Sequence, residues 1–152
     1  MVELVPSLLR QELARLAEES ERIDGRGQWD TREVSLETNC LYNAEGSAKV
    51  VMGGTVVYAG VKFELRTPWP DRPTQGSLMC GAELRPVAGR KYEPGPPSPE
   101  SIELGRVVDR GIRESGCIDM ESLCIVPGEK VWGVMIDIHV MSCLLYTSDA
   151  AD

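Results

Sequence analysis

The sequence predicts an α+β fold, and three observations carry that expectation. Residues 34–84 hold short runs that alternate apolar and polar side chains, the two-residue period of strands. Residues 102–115 switch to a period near 3.6, as in an amphipathic helix. Residues 123–141 return to strand-like, strongly apolar runs. Strands, then a helix, then strands suggest a sheet with helices on one face.

The elements follow in order. Residues 7–19 read as a helix, because Leu8, Leu9, Leu13 and Leu16 recur near helical spacing and Pro6-Ser7 makes a start. Arg22-Ile23-Asp24-Gly25-Arg26-Gly27 is a charged turn. Residues 34–37 alternate as a short strand, and 43–47 form a turn. Strands 48–52 and 55–65 are split by Gly53-Gly54, a tight-hairpin signal. The second sets Val57, Ala59, Val61 and Phe63 against Val56, Tyr58, Lys62 and Glu64. Pro68, Pro70 and Pro73 make 67–76 a loop. Residues 77–84 are apolar enough for a buried strand. After the helix come strand 123–126, a turn at 127–130, and strand 131–141. No internal repeat is evident.

Length and composition bound the function. A chain of 152 residues is one domain or part of one. Apolar content of 42% supports a core, and a single Phe leaves it to be filled by Val, Ile and Leu. No apolar run approaches the roughly 20 residues that span a bilayer, so no membrane partner is expected. The polar N-terminus does not read as a secretory signal. The five cysteines, Cys40, Cys80, Cys117, Cys124 and Cys143, form no CxxC pair, so reduced thiols and a cytoplasmic location are expected. Cys80 and Cys124 fall in strand-like runs and are expected to be buried. The lone histidine, His139, has no local ligand partner, so no metal and no cofactor are expected. The net charge of −8 argues against a general nucleic-acid binder. It leaves room for a local basic site, and for a partner that supplies positive charge.

One local basic site stands out. A stiff loop, Glu93-Pro94-Gly95-Pro96-Pro97, leads into the helix that carries Arg106, Arg110 and Arg113. With Arg106 at zero, Arg110 falls at about 40° and Arg113 at about −20° on the helical wheel. Leu104, Val108 and Gly111 lie opposite, flanked by Val107 and Ile112, and are expected to pack. Guanidinium groups suit phosphate because their planar fork donates two hydrogen bonds to one oxyanion. The bland alternative is a solvated face with Asp109–Arg113 and Arg110–Glu114 pairs of about 0.3–0.5 kcal/mol each. The residues alone leave these two readings level. Elsewhere the bland reading leads. Asp24 serves to neutralise Arg22 and Arg26, and Lys62 and Arg66 are solvated. Trp69 either stacks on a base or anchors its loop. Trp132 is core or interface, and Asp137 with His139 form a buried polar pair or an interface contact.

Taken together, these motifs resemble the RNase PH superfamily. The landmarks include Arg22 to Arg26, Gly46-Ser47-Ala48, Gly53-Gly54-Thr55 and Ala59-Gly60-Val61-Lys62. The specific combination is Glu93 to Pro97, then Glu103-Leu104 and Arg106-Val107-Val108-Asp109-Arg110, then Ile112-Arg113. Within that superfamily the chain is most similar to the non-catalytic RNase PH-like subunit of the archaeal exosome ring. The resemblance implies a ribosomal protein S5 domain 2-like fold, here incomplete. It implies a hetero-hexameric ring, three copies alternating with three of a catalytic RNase PH-like subunit, which degrades RNA from its 3′ end by phosphorolysis. RNA-binding cap subunits and single-stranded RNA are the further partners it implies. No catalytic residue is expected in this chain, and Arg106 and Arg110 map onto arginines that hold RNA phosphates. Arg113 is the third candidate, with Asp109 as a competing partner.

The family domain is longer than this chain, so residues 1–141 are expected to be its N-terminal part. Residues 142–152 depart from the family pattern and read as a non-native tail. The alternative is a fragment of a catalytic RNase PH-type phosphorolytic exoribonuclease. Lacking half its sheet, the isolated fragment is expected to be marginal in solution.

Overall fold

A computed structural model describes residues 4–22, 25–27, 29–89 and 92–143, with side chains from residue 10 onward. The chain divides after Glu33 into an N-terminal unit and a sheet unit spanning 34–143. The N-terminal unit holds helix α1 (Leu4–Glu18). It begins three residues before the sequence suggests, because Pro6 falls in the first turn, where no backbone donor is needed. Arg15 bridges Glu12 and Glu19 across successive turns at 2.6 and 2.8 Å. The Arg15 guanidinium holds the exposed Glu12 carboxyl below its ordinary range. Ser20, at φ 57°, ends the helix. A tight turn follows, with Arg22 N–H donating to Arg26 O at 2.8 Å. The expected neutralisation by Asp24 lies outside the described residues.

The sheet unit contains β1 (Val34–Thr38), β2 (Gly46–Met52), β3 (Thr55–Arg66), β4 (Ser77–Leu84), helix α2 (Pro99–Ser115), β5 (Cys124–Val126) and β6 (Lys130–Ser142). The order is β1-β2-β3-β6-β4, with β5 joined to β6. Every pairing is antiparallel except β4 with β6. The expected Gly53-Gly54 hairpin is present, with Met52 level with Thr55 and Gly53 at φ 56°. That left-handed conformation costs glycine little.

Register sorts the side chains into two faces. On one, Phe63, Val61, Ala59 and Val57 of β3 lie level with Val134, Ile136, Ile138 and Val140 of β6. Those four in turn lie level with Leu78, Cys80, Ala82 and Leu84 of β4. The core sits at the β4–β6 end, where Leu78, Ala82, Val134, Ile138 and Val140 are buried. The opposite face carries Lys49, Tyr58, Lys62, Glu64, Asp137, His139 and Glu83. Strand β1 forms where the alternation predicts, yet Val34 and Leu36 are 59% and 66% exposed, so its apolar side meets water. Phe63, Leu65 and Trp132 are also exposed, and the Phe63 and Trp132 rings meet edge to face at 6.1 Å. Among the described residues no helix is long and apolar enough to cross a membrane.

The loop between β1 and β2 folds back over β3. Lys62 Nζ donates to Asn43 O and to Glu45 Oε1, both at 2.8 Å. Lys62 also holds the exposed Glu45 carboxyl below its ordinary range, helped by backbone hydrogen bonds. A depressed carboxyl pKa means that this pin is complete above the ordinary carboxylate range and is released as pH falls through the lowered value. An NMR titration of the Glu45 carboxyl is expected to show a lowered midpoint. Lys62→Met should move it back up, and an unchanged midpoint in that variant would refute the pin.

Candidate nucleic-acid interface

Helix α2 begins after the proline loop, where its backbone demands are met locally. Ser98 caps it, its side chain accepting from Ser101 N–H at 3.2 Å, and Pro99 fills the first helical position. Gly116, at φ 64°, ends it in the left-handed conformation.

The packed side of α2 keeps Leu104, Val108 and Ile112 of the expected apolar stripe but not Val107 and Gly111. Its two buried residues are Ser101 and Gly105, and Leu104, Val108 and Ile112 are half-buried around them. Val107 and Gly111 face water. Relative to the expected apolar stripe, the packed face is rolled by about 60°. The cause is strand β4, the edge of the sheet. Alternate carbonyls of an edge strand point outward with no strand to receive them. Helix α2 receives them instead. Ser101 Oγ donates to Ala82 O, and Arg113 Nη2 donates to Leu78 O at 3.2 Å. Between these contacts Gly105 sits so close that a Cβ would lie 3.3 Å from Cys80 O and 3.4 Å from Ala82 N.

Arg113 also makes a two-pronged ion pair with Asp109, at 2.9 and 3.1 Å, as the sequence suggests. The Arg110–Glu114 pair does not form. Among the described residues, Arg106 and Arg110 make no ion pair and no hydrogen bond, and both are exposed. The three arginines therefore separate into one engaged with strand and helix and two that project free into solvent. Two exposed guanidiniums one turn apart can engage neighbouring phosphates of a single strand. The cleft beside the proline loop, about 520 Å³, is a poorer phosphate site. It is lined by Glu83, Glu93 and Glu100, and its Arg85 is paired with Glu83 at 2.7 Å.

Residues 30–151 match the 3′ exoribonuclease family, domain 1, the RNase PH domain. The chain belongs to that family. It is 49% identical over 142 residues to exosome complex component Rrp42 of Methanosarcina acetivorans, covering 93% of this chain and 53% of that protein. It is 44% identical over 140 residues to the protein of the same name from Methanothermobacter thermautotrophicus, with 92% and 52% covered. Among solved structures it is similar to a chain of the Archaeoglobus fulgidus exosome with RNA bound to the active site. There the TM-score is 0.85 at 46% identity, over 92% of this chain and 55% of that one. A chain of an archaeal exosome core gives 0.76 at 42% identity, with 92% and 53% covered. The RNase PH-type α+β fold expected from the motifs is the fold observed. The chain spans about half the length of the curated relatives it matches.

Within this RNase PH-type sheet the other candidates fall outside the arginine stripe. Asp137 is exposed rather than buried, so the expected buried pair is not formed. His139 instead lies 3.6 Å from Glu83 and accepts from Arg85 Nε at 3.4 Å. Arg66 lies 3.5 Å from Glu64. Trp69 is exposed while Pro68 and Gly76 are buried, so the indole does not anchor the loop. Cys80 and Cys124 are half-buried. Burial pushes the Cys80 thiol pKa up, with Asp109 and Asp137 adding to the shift. Of the expected tail, Ser142 ends β6, and residues 144–152 lie outside the described residues.

Sequence reasoning missed Ser101 and Gly105. The available signal was two small residues four apart on one side of a helix, where close approach to a neighbour is possible. In the full-length protein, Ser101→Ala should cost about 1–3 kcal/mol by leaving the buried Ala82 carbonyl unpaired. Gly105→Val should cost about 1–3 kcal/mol by pushing α2 off the strand. Denaturant unfolding checks both, and unchanged midpoints would refute the seating.

Proposed function

We propose that this chain is the N-terminal half of a non-catalytic, RNA-binding and structural subunit of an exosome ring. It would support 3′-to-5′ phosphorolytic RNA degradation performed by a catalytic RNase PH-like partner, in a hexamer with three copies of each subunit. The observation that carries the reading is the pair of exposed, unpaired guanidiniums of Arg106 and Arg110, on a chain whose net charge is −8. An acidic protein that leaves two arginines without an ion pair on one helix face can offer a local anion site without a generally basic surface. The similar proteins named exosome complex component Rrp42 support the subunit assignment. The structural similarity to an exosome with RNA bound supports the ligand.

The chemistry follows from placement. The guanidiniums neutralise successive phosphates and fix the path of a single strand, while bond cleavage by inorganic phosphate takes place on the partner. The proposal includes RNA-binding cap subunits and a cytoplasmic location, the latter in keeping with a cysteine set that carries no disulfide-type pattern.

The test uses the full-length protein with and without its catalytic partner, a single-stranded RNA and inorganic phosphate. Degradation is expected only with the partner. Arg106→Glu with Arg110→Glu should weaken RNA binding by at least about tenfold in an assembled ring and flatten its salt dependence. Phosphorolysis by this protein alone would overturn the reading. So would an assembled double-variant ring that binds RNA as the wild type does.

A further inference from the structure

We propose that Arg113, gripped by Asp109, is a positioning residue that aims Arg106 and Arg110 and does not itself hold RNA. The proposal rests on the RNA-binding reading of those two arginines and extends it to the residues behind them.

Three contacts fix α2 along the β4 edge: Ser101 on Ala82 O, Gly105 against the peptides at Cys80 and Ala82, and Arg113 on Leu78 O. The first two lie in the N-terminal half of the helix. The third is the polar hold on its C-terminal half, beside the half-buried Val108 and Ile112, and it sits one turn from Arg110. Arg113 reaches Leu78 O with Nη2, the same nitrogen that Asp109 Oδ1 receives at 2.9 Å. Asp109 Oδ2 receives Nε at 3.1 Å. Both prongs of the fork are thereby held, and the guanidinium has one orientation in which it can also meet the strand. The Asp109 carboxylate is the more sheltered partner, its side chain 28% exposed against 41% for Arg113. It lies close enough to the strand to raise the Cys80 thiol pKa.

A small movement at this hold is enough to matter. A guanidinium stands about 6 Å or more from the helix axis, so a 20° roll carries it about 2 Å. Hydrogen bonds to phosphate are made within a window of about half an ångström. A helix free to roll at its C-terminal end therefore offers Arg106 and Arg110 to the strand only part of the time. Affinity falls with the fraction of molecules correctly set.

The sign of one substitution separates aiming from simple electrostatics. Asp109→Asn removes a negative charge beside the RNA site, so charge alone predicts tighter binding. Loss of aim predicts weaker binding. Arg113→Lys keeps the charge but cannot grip Asp109 and Leu78 O together. If Arg113 merely attracted phosphate, the lysine would serve.

The experiment uses the full-length protein assembled with its catalytic partner. Binding of a fluorescein-labelled single-stranded oligoadenylate RNA is measured without phosphate, with ring assembly followed by size-exclusion chromatography. Asp109→Asn and Arg113→Lys are each expected to weaken binding by about threefold or more, the scale of a weakened charge-assisted hydrogen bond. Both effects should vanish in a ring already carrying Arg106→Gln and Arg110→Gln, because the aimed groups are then gone. Unchanged or tighter binding by assembled Asp109→Asn would overturn the proposal. So would a weakening that persists in the glutamine background. If Asp109→Asn prevents assembly, Arg113→Lys decides, and wild-type affinity there would overturn it. Should the glutamine ring itself bind RNA normally, the RNA-binding reading fails first, a result distinct from failure of the aim alone.

Discussion

The seating of α2 along the outer edge of β4 is the constraint on which the rest of the sheet unit depends. An edge strand leaves a row of backbone groups facing outward, and burying them unpaired would cost more than most side-chain contacts return. Here a serine hydroxyl and an arginine reach two of the carbonyls, and a glycine lets the helix backbone approach the peptides between them. The same contacts do three things. They close one edge of the sheet, hold the helix over the buried β4–β6 core, and decide which arginines point away. The exposure of Arg106 and Arg110 is thus a consequence of backbone hydrogen bonding as much as of their own polarity.

Much of this architecture was legible in the sequence. Period-two runs located the strands to within a few residues, and the helical period over 102–115 located α2, which begins three residues earlier, at Pro99. The Gly53-Gly54 hairpin and the Asp109–Arg113 pair were also readable, since both depend only on near neighbours. The azimuth of α2 was not. Hydrophobic periodicity weighs side-chain transfer to an apolar interior, and by that measure the packed face centres on Leu104, Val108 and Gly111, whereas Gly111 faces water and the centre lies at Ser101 and Gly105. It gives no weight to a serine that satisfies a carbonyl or to a glycine that admits one. The exposure of Val34 and Leu36 was hidden for a different reason. Alternation shows that a strand has two unlike faces, and says nothing about whether material is present to cover the apolar one.

That second point bears on the extent of the chain. The curated relatives are about twice as long as the matched segment. Exposed apolar positions Val34, Leu36, Phe63, Leu65 and Trp132 share one face of the sheet. The charged positions gather on the other face, where Lys62 is pinned to a loop and His139 to Glu83 and Arg85. The acidic balance of the whole chain and the free arginines of α2 are therefore compatible. The negative groups are distributed, many in local pairs, while Arg106 and Arg110 share one short stretch of rigid backbone.

The strand order has a consequence for how the chain acquires its shape as it is made. Strands β1, β2 and β3 are neighbours both in sequence and in space, so they can zip together as they emerge. Strand β4 cannot join them. Among the described residues its one strand neighbour is β6, which also separates it from β3. From the synthesis of Leu84 until β6 begins at Lys130, β4 has no strand with which to pair. Helix α2 is made in that interval, and the carbonyls it satisfies lie on the side of β4 that β6 never touches. The nascent strand can therefore be shielded on one side by its own downstream helix while its other side waits. Insertion of β6 between β3 and β4 is then the event that turns a hairpin meander and a strand–helix pair into one sheet.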